Sequence, residues 1–325
     1  MVVTSWKEPV MPLAFSLFLP TGFGQELASF DDPVEAAAVV TRLAETAEEA
    51  GFAAVYLPDH LQTVPPSQAY VFESWSLLTT LAARTERIRL GQLVSGNAYR
   101  NPALQAKMAS TVDVLSNGRL DFGIGAGWYE RDYEAFGYPY DDGPERLRRL
   151  REAVQVIRSL WTQDVTTFAG KYYRLVDAVN QPRGVQQPHI PLMIAGGGEK
   201  VTLKLVAQYA DACNLMASPA EVERKLGILR AHCDAVGSDF DGIRRTVTTA
   251  CLIAGTDDEA QGALAPETGL FYPGDFASYL LYGTVDTVRR RIAAYEAVGV
   301  QELVIGFHDS LNPDAIRRFA KEFIG

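Results

Sequence analysis

Short, continuous apolar runs alternate along the chain with longer stretches in which apolar residues recur every three or four positions. The first run, at 13–19, has the length and continuity of a strand buried on both faces. The stretch after it has aspartates that can cap a helix, Pro33 in the first turn and Gly51 as a stop, which predicts a helix. Seven further apolar runs repeat this arrangement. The eight predicted strands lie at or within residues 13–19, 52–57, 88–94, 119–128, 191–195, 211–216, 246–254 and 302–307.

Eight strands that are each followed by a helical pattern indicate an α/β fold with a parallel sheet, because such strands are covered by helices on both faces. At 325 residues, eight units favour a single closed (β/α)8 TIM barrel over an open doubly wound sheet. An open sheet would require an early Gly-x-Gly-x-x-Gly turn. The glycines at 123, 125 and 127 instead recur at every second position of the fourth strand.

The regular alternation is interrupted twice, by stretches that hold aromatic, Gly and Pro residues. Residues 162–190, after the fourth unit, and 262–283, after the seventh, are therefore predicted to be insertions. The aromatic part of the second one is expected to form a lid that excludes water, or a subunit contact. Residues 1–12 are predicted to be an N-terminal extension, and residues 13–325 to form one barrel domain.

Two helices carry specific expectations. In the third helix, the spacing of Leu104, Met108, Val112 and Leu115 predicts that these residues share one buried face. After the fourth strand we expect a long helix, in which Leu147, Leu150, Val154, Ile157 and Trp161 recur at helical spacing.

The composition is that of an ordinary globular protein, 47% hydrophobic and 22% charged, with a net charge of 30 − 40 = −10. Because no long basic run offsets this charge, neither nucleic acid nor an anionic membrane is expected as a partner. The three cysteines are far apart, which predicts free thiols, and no His or Cys cluster predicts a metal site. Polar residues near the start and the lack of a long apolar run lead us to expect a cytoplasmic protein.

Three consecutive glycines, Gly196, Gly197 and Gly198, follow the fifth predicted strand and directly precede a helical pattern. Backbone amides at a helix N-terminus bind anions, and residues without side chains let a phosphate approach closely. A tight turn is the alternative, although it needs only one or two glycines. We therefore predict a phosphate site at this strand end, where barrels hold their ligands, with Lys200 as a weaker candidate.

Other strand ends carry further candidates. Asp59 and His60 follow the second strand, and an imidazole exchanges a proton near neutral pH while a neighbouring carboxylate fixes its tautomer or contacts a ligand. A purely structural hydrogen bond is the alternative, and His308 is a weaker candidate. After the fourth strand, Gly125 and Gly127 leave room for a planar ring or serve packing inside the barrel.

Together these segments resemble the luciferase-like monooxygenase superfamily, TIM-barrel oxidoreductases that use FMN or the deazaflavin coenzyme F420. Within the superfamily, the sequence of these segments is most similar to that of the F420-dependent branch. The resemblance runs from about Leu13 to the final helix. It is carried by "YLPDH", "RNPALQAKMASTVDVLSNGRLDFGIGAGW" and "PLMIAGGGEKVTLKLVAQYADACNL".

The resemblance implies a role for each matching segment. Asp59 contacts the cofactor region and His60 is a catalytic acid or base. The glycine segment holds the cofactor phosphate, and a non-proline cis peptide bond within residues 93–96 forms a bulge behind the ring. The predicted cofactor-binding residues are Asp59, Val94, Ser95, Gly96, Asn97, Gly125, Gly127, Trp128, Ala195, Gly196, Gly197 and Gly198.

One position departs from the family pattern. Sugar-phosphate dehydrogenases of the F420-dependent branch carry a catalytic glutamate where this chain has Trp128, so a partly apolar substrate is expected instead. We therefore expect a homodimeric F420-dependent oxidoreductase that transfers a hydride to or from a small organic molecule. The alternatives are an FMN-dependent monooxygenase fed by a separate reductase and a non-catalytic barrel that binds a phosphorylated ligand.

Overall fold

The computed structural model describes residues 13–264, 268–272 and 274–325. Its strands are β1 (Ala14–Phe18), β2 (Ala54–Leu57), β3 (Arg89–Gln92), β4 (Ser95–Gly96), β5 (Leu120–Gly125), β6 (Thr166–Ala169), β7 (Arg174–Ala178), β8 (Leu192–Ala195), β9 (Ala212–Leu215), β10 (Arg244–Ile253), β11 (Leu281–Gly283) and β12 (Glu302–Phe307). Its helices are α1 (Pro33–Glu49), α2 (Ser74–Arg84), α3 (Pro102–Leu115), α4 (Glu130–Phe136), α5 (Gly143–Thr162), α6 (Thr202–Tyr209), α7 (Pro219–Val236), α8 (Asp257–Ala263), α9 (Thr268–Phe271), α10 (Val285–Ala297) and α11 (Pro313–Phe323).

Eight parallel strands close into a barrel, because β12 pairs with both β1 and β10. Around the ring the order is β1, β2, β3, β5, β8, β9, β10 and β12, so that barrel strands adjacent in the sequence are also neighbours in space. The predicted (β/α)8 TIM barrel is confirmed. All eight carboxyl ends open on one face, which is where barrel enzymes hold their sites.

The two predicted insertions contain elements that the pattern did not predict. After the fourth barrel unit, β6 and β7 form an antiparallel hairpin. After the seventh, α8 and α9 precede β11, which pairs in parallel with the end of β10 and is not one of the ring strands. The predicted extension at 1–12 lies outside the described residues, as do positions 265–267 and 273 of the second insertion.

Apolar side chains fill two layers. Alternate strand residues point into the barrel, where Tyr56, Leu93, Met193 and Val304 form a small buried cluster. A larger cluster lies between the strands and the surrounding helices. Gly91 is required beside Tyr56, because a Cβ atom at that position would lie 2.5 Å from the tyrosine ring.

Two expectations about helices were wrong. Leu104 and Leu115 of α3 are 51% and 58% exposed, because this helix lies between α2 and α5 and buries small and polar residues against them. The second concerns α6, which begins at Thr202 and not directly after the triple glycine. The long helix predicted after the fourth strand is confirmed as α5, although the short helix α4, which the pattern did not predict, precedes it.

Charged side chains fill the barrel at the amino ends of its strands. Asp121, which is 1% exposed, accepts hydrogen bonds from Nη2 of Arg89 at 2.6 Å and of Arg244 at 2.9 Å. Glu302 accepts one from the hydroxyl of Ser16 at 2.6 Å and lies 3.3 Å from Nε of Arg244. We call these five residues the closed-end cluster, because they seal the end of the barrel opposite the ligand face.

Three further findings bear on function. No helix of the described residues has the length and apolar character needed to cross a lipid bilayer. Over the same residues, no group of three or more His, Cys, Asp or Glu side chains is placed to hold a metal ion. The three cysteines are buried and form no disulfide.

Candidate active site

A cavity of about 790 Å³ opens at the carboxyl ends of the barrel strands. Its volume is in the range of cofactor and ligand pockets. The structure brings most of the predicted site residues together in its lining, although they come from different strand ends. The predicted residues that line the cavity are Asp59, His60, Val94, Ser95, Gly96, Gly125, Gly127, Trp128, Ala195, Gly196 and Gly197.

His60 is held at the cavity wall by a carboxylate that the sequence pattern did not reveal. Its Nδ1 lies 2.9 Å from Oδ2 of Asp132, which is fully buried, and His60 itself is 8% exposed. The hydroxyl of Tyr99 donates to the same oxygen at 2.9 Å. A neutral imidazole that donates from Nδ1 carries its acceptor lone pair on Nε2, and no described residue hydrogen-bonds that atom. Nε2 is therefore the atom that can exchange a proton with a ligand.

Aromatic rings surround this imidazole. Phe23 stacks on His60 with the ring centroids 4.9 Å apart and the planes 7° from parallel. Trp128 and Tyr129 contact the imidazole edge-on, with centroids at 5.6 and 5.9 Å. Phe271, from the second insertion, packs against Phe23 at 5.2 Å. These rings place the proton-carrying group in a mainly apolar environment that excludes water from its faces.

Asp59 is engaged inside the protein. Its two carboxylate oxygens accept hydrogen bonds from Arg100 at 2.7 and 3.1 Å, from the hydroxyls of Ser74 and Ser95 at 2.8 and 3.1 Å, and from the amide of Gly96 at 3.0 Å. The side chain thus fixes the loop after the third strand. This geometry does not support the predicted direct contact between the Asp59 carboxylate and a cofactor.

The peptide bond between Leu93 and Val94 is cis, which confirms a non-proline cis bond within the predicted segment. The chain continues as β4, which pairs with β5. The glycines of β5 fit against this bulge: a Cβ atom on Gly123 would lie 2.0 Å from the carbonyl oxygen of Gln92, and one on Gly125 would lie 2.8 Å from Cγ2 of Val94. Close packing, more than space for a ring, is therefore what requires these two glycines.

The three consecutive glycines after β8 are not equivalent. The amide of Gly196 donates to the carbonyl oxygen of Asn214 at 3.1 Å, so this amide is not available to an anion as predicted. The amides of Gly197 and Gly198 have no acceptor among the described residues. Gly196 has a φ of 123°, which favours glycine. Two free amides thus remain where three were predicted.

Lys225, from α7, lies at the same corner and was missed in the sequence. Its Nζ donates to the carbonyl oxygen of Gly197 at 2.8 Å, and it lies 3.5 Å from Glu199 and 3.4 Å from Glu221. A Cβ atom on Gly197 would lie 3.2 Å from this Nζ. The glycine therefore keeps the ammonium group beside the free amides. Lys200, the weaker candidate, is exposed and precedes α6. We call Gly197, Gly198 and Lys225 the anion corner.

The other predicted residues lie at the margin of the cavity or behind it. Asn97 does not line it, and its Nδ2 donates to the hydroxyl of Tyr173 at 3.3 Å. Gly198 also falls outside the lining, and a Cβ atom there would lie 2.7 Å from Oγ1 of Thr202. His308 lines the cavity but is exposed at its rim.

Comparison with known proteins decides the family. A model of the luciferase-like monooxygenase family matches residues 13–275 of the chain. The chain belongs to this family. A structure of the coenzyme F420 dependent tetrahydromethanopterin reductase from Methanopyrus kandleri superposes on 96% of this luciferase-like chain and 99% of its own, with a TM-score of 0.74 and 21% sequence identity. That likeness shows the shared fold.

Similar luciferase-like proteins include enzymes with two different cofactors. An FMNH2-dependent dimethylsulfone monooxygenase of Pseudomonas putida is 27% identical over 300 residues, which cover 82% of each protein. An F420-dependent glucose-6-phosphate dehydrogenase of Intrasporangium calvum is 39% identical over 167 residues. That alignment covers 50% of this chain and 48% of the dehydrogenase, about half of each. The relatives are thus oxidoreductases and monooxygenases that depend on F420 or on reduced FMN.

One more acidic group of this luciferase-like cavity was missed in the sequence. Glu26, between β1 and α1, lines the cavity, and its Oε2 accepts a hydrogen bond from the amide of Gly24 at 2.8 Å. Burial raises the pKa of the Glu26 carboxyl above its ordinary value. The cavity therefore combines the anion corner with two groups that can carry a proton, His60 and Glu26.

Proposed function

We propose that this chain is an F420-dependent oxidoreductase, which transfers a hydride between the deazaflavin and a small, neutral, partly apolar organic substrate. The observation that carries the proposal is the imidazole of His60, whose Nδ1 is fixed by the buried Asp132. Hydride transfer at a carbon that bears oxygen must be accompanied by proton transfer at the oxygen. The free Nε2 of His60, in the cavity wall, can take or give that proton.

The anion corner suits the phosphate that F420 and FMN have in common. The amides of Gly197 and Gly198 are unused among the described residues, and the ammonium of Lys225 lies beside them. The bulge at Val94 offers an apolar surface in the same cavity. When bound, such a cofactor supplies the hydride chemistry, whereas the protein binds, orients and manages the proton.

The cavity lining supports a neutral substrate. Among the described lining residues, Lys225 is the only lysine or arginine, and it belongs to the anion corner. A phosphate on the substrate would therefore have no second cation to meet. Trp128, which is 53% exposed, offers an aromatic surface at the mouth instead. Sugar phosphates are thus a poor match, although one similar protein is a glucose-6-phosphate dehydrogenase.

Parallel fluorescence titrations with F420 and FMN test the cofactor. We expect F420 to bind more tightly than FMN. Tighter binding of FMN, with a yellow protein on purification, would instead favour an FMN-dependent monooxygenase that receives reduced flavin from a separate reductase. The alignment with the dimethylsulfone monooxygenase, which covers 82% of the chain, supports that second candidate.

His60→Ala tests the mechanism, with turnover followed as F420H2 oxidation in the presence of a panel of ketones and enones. Because general acid–base catalysis contributes about 10²- to 10⁴-fold, we expect a loss of turnover in that range with cofactor affinity unchanged. His308→Ala, at the exposed rim, is the matched control and is expected to keep turnover near that of the parent. Equal turnover in His60→Ala and the parent would remove His60 from the mechanism.

A non-catalytic barrel that binds a phosphorylated ligand makes a different prediction. Cofactor binding without turnover, across the whole substrate panel, would favour it. The buried carboxylate behind His60 speaks against that outcome, because a simple carrier has no use for an oriented imidazole.

We also propose that the chain forms a homodimer. Four valines of the first insertion, Val165, Val176, Val179 and Val185, are between 48% and 66% exposed. Exposed apolar side chains are typical of protein contacts where they form a contiguous patch. Light scattering of the purified protein tests the proposal, and a monomer mass would contradict it.

A further inference from the structure

Glu26 is an acidic side chain in the cavity that has no cation partner. Its carboxylate accepts a hydrogen bond from the amide of Gly24 at 2.8 Å. Within the described part of the chain, no lysine or arginine forms an ion pair with it. An unpaired carboxylate in a largely apolar cavity is costly, and such a group tends to take up a proton instead.

The surroundings of Glu26 lead to the same conclusion. Burial is the largest influence on the pKa of Glu26 and leaves it raised, although backbone hydrogen bonds from Glu26, Gly24 and Gly22 and the nearby imidazole of His60 act in the opposite direction. Glu26 lies close enough to the hydroxyl of Tyr272 for its negative charge to raise the pKa of that hydroxyl. Phe23, next to Glu26 in the same segment, stacks on His60. The carboxyl therefore shares one cavity with the imidazole proposed to carry the catalytic proton.

We propose that Glu26 is a specificity-determining residue. In its protonated form the carboxyl donates a hydrogen bond to a neutral substrate oxygen, and it thereby selects ketones and related neutral carbonyl compounds over carboxylates. A protonated carboxyl has one O–H donor, whereas an ionised one can only accept. A ketone oxygen can only accept, so it requires the protonated form. A carboxylate ligand would bring a second negative charge into the largely apolar cavity beside Glu26, and this disfavours its binding. The inference rests on the proposed function, since a carbonyl is a group to which a hydride is transferred.

Binding of acetophenone and benzoate to the purified protein tests this proposal without any cofactor. The two probes share a phenyl ring, and both accept hydrogen bonds, but only benzoate is charged. We expect the parent to bind acetophenone at least about tenfold more tightly than benzoate near neutral pH, a difference of about 1.4 kcal/mol. Calorimetric titration measures both affinities.

Two variants separate a specific role from a merely structural one. Glu26→Gln keeps the shape and a permanent N–H donor, so it should retain acetophenone affinity. It should also lose the weakening that the parent shows at alkaline pH, as the Glu26 proton is released. Glu26→Ala should lose about tenfold in acetophenone affinity. If Glu26→Ala does not fold, the pH profiles of Glu26→Gln and the parent decide the question.

Several outcomes would overturn the proposal. These are equal affinity of the parent for the two probes, absence of binding by both up to their solubility limits, and identical pH profiles for Glu26→Gln and the parent. The F420 and FMN titrations are made separately on the same proteins. If neither F420 nor FMN binds while the parent still prefers acetophenone, the proposed function is wrong and the role of Glu26 stands. If F420 binds but the parent shows no preference for acetophenone, only the role of Glu26 is rejected.

Discussion

Two carboxyl groups at opposite ends of one barrel have opposite properties. Asp121, at the closed end, is 1% exposed, and burial raises its pKa. The guanidinium groups of Arg244 and Arg89 outweigh that effect and leave the pKa below its ordinary value. Glu26, at the open end, is less buried, yet burial leaves its pKa above the ordinary value. The more deeply buried acid is thus the one whose pKa is lowered.

Glu302 shows which factor decides. It is 2% exposed, almost as buried as Asp121. Within the described residues, however, its only cation partner is Arg244, whose Nε lies 3.3 Å away and whose Nη2 binds Asp121. Burial raises the pKa of Glu302, and this one shared cation does not offset it. Among these three acids, the number of facing cations, more than depth, sets the direction in which the pKa shifts.

The comparison indicates what each end of the barrel is for. At the closed end, Asp121 meets two arginines of the same chain, and these ion pairs contribute to stability. At the open end, Glu26 has no cation partner among the described residues, and the Nε2 of His60 and the amides of Gly197 and Gly198 have no hydrogen-bond partner there. Unsatisfied groups are a cost in the free protein, and they are retained where a ligand satisfies them. The predictions below test this division.

Asp121→Asn at the closed end is expected to have the largest effect. It leaves Arg89 and Arg244 facing a neutral group, and breaking a buried pair from one side costs about 3–5 kcal/mol. Because the two arginine side chains are 32% and 33% exposed, we expect about 3 kcal/mol, measured by urea unfolding. The pKa of Asp121 is lowered on folding. Its stabilisation is therefore present above the unfolded pKa and is lost as pH falls through the folded pKa, so the difference from the parent should shrink in acid.

Glu45→Gln is the matched control for this experiment. Glu45 pairs with Arg84 at 2.8 Å on the surface, where the arginine is 59% exposed. Exposed pairs contribute about 0–1 kcal/mol, so this variant should unfold close to the parent. If Asp121→Asn costs no more than Glu45→Gln, the closed-end cluster is not a major source of stability.

Asp132→Asn at the open end should lower turnover strongly with a small effect on folding. The Asn side chain has no negative charge to accept the hydrogen bond from Nδ1 of His60, so the tautomer of the imidazole is no longer fixed. We expect a loss of about 100-fold in turnover, the lower part of the range for acid–base catalysis. Cofactor affinity, measured by titration, should not change, because the anion corner is untouched.

Tyr99→Phe sharpens that prediction. It removes the hydroxyl that donates to Asp132 at 2.9 Å and leaves the carboxylate in place against His60. Its turnover should therefore lie between those of the parent and Asp132→Asn. A larger loss in Tyr99→Phe than in Asp132→Asn would mean that Asp132 is not the group that positions the imidazole.

Asp132 also shows what the sequence could and could not predict. The barrel strands were predictable because each is a local, continuous apolar run. The bond between His60 and Asp132 joins residues 72 positions apart, and Asp132 lies on α4, a short helix that no periodicity revealed. Local patterns locate strands and the loops after them, whereas a contact between two loops depends on how the barrel closes.

Lys225 left a weak signal in the sequence, and the glycines left an ambiguous one. Lys225 lies beside Leu226, a buried residue of a helix that the pattern did predict, but Gly197, which it contacts, lies 28 positions earlier in the chain. Gly125 and Gly127 indicated either room for a ring or packing inside the barrel, and in the structure Gly125 packs against the bulge at Val94. In α3, apolar spacing failed because the helix is buried through small and polar residues.

Lys225→Met should weaken cofactor binding by about tenfold, which is about 1.4 kcal/mol. The variant removes the charge beside the free amides and keeps most of the apolar stem. Lys204→Met, at an exposed lysine of α6, is the matched control and should bind like the parent. Equal loss in both variants would mean that general electrostatics, and not the anion corner, holds the cofactor. Titration at two salt concentrations separates the two explanations further.

Glu26→Gln should change stability in the direction opposite to Asp121→Asn, by a smaller amount. The folded state raises the pKa of Glu26, so between the unfolded and folded pKa values the folded protein binds more protons and stability falls as pH rises. Below the unfolded pKa, both states are protonated and the variant should match the parent. Above the folded pKa, Glu26→Gln should be the more stable protein, by about 1.4 kcal/mol for every tenfold difference between the acid dissociation constants of Glu26 in the two states. Urea unfolding across this range measures the difference, with the exposed Glu296→Gln as control. A parent that is more stable than Glu26→Gln at neutral pH would mean that Glu26 is satisfied as a carboxylate, and the contrast between the two ends of the barrel would not hold for this residue.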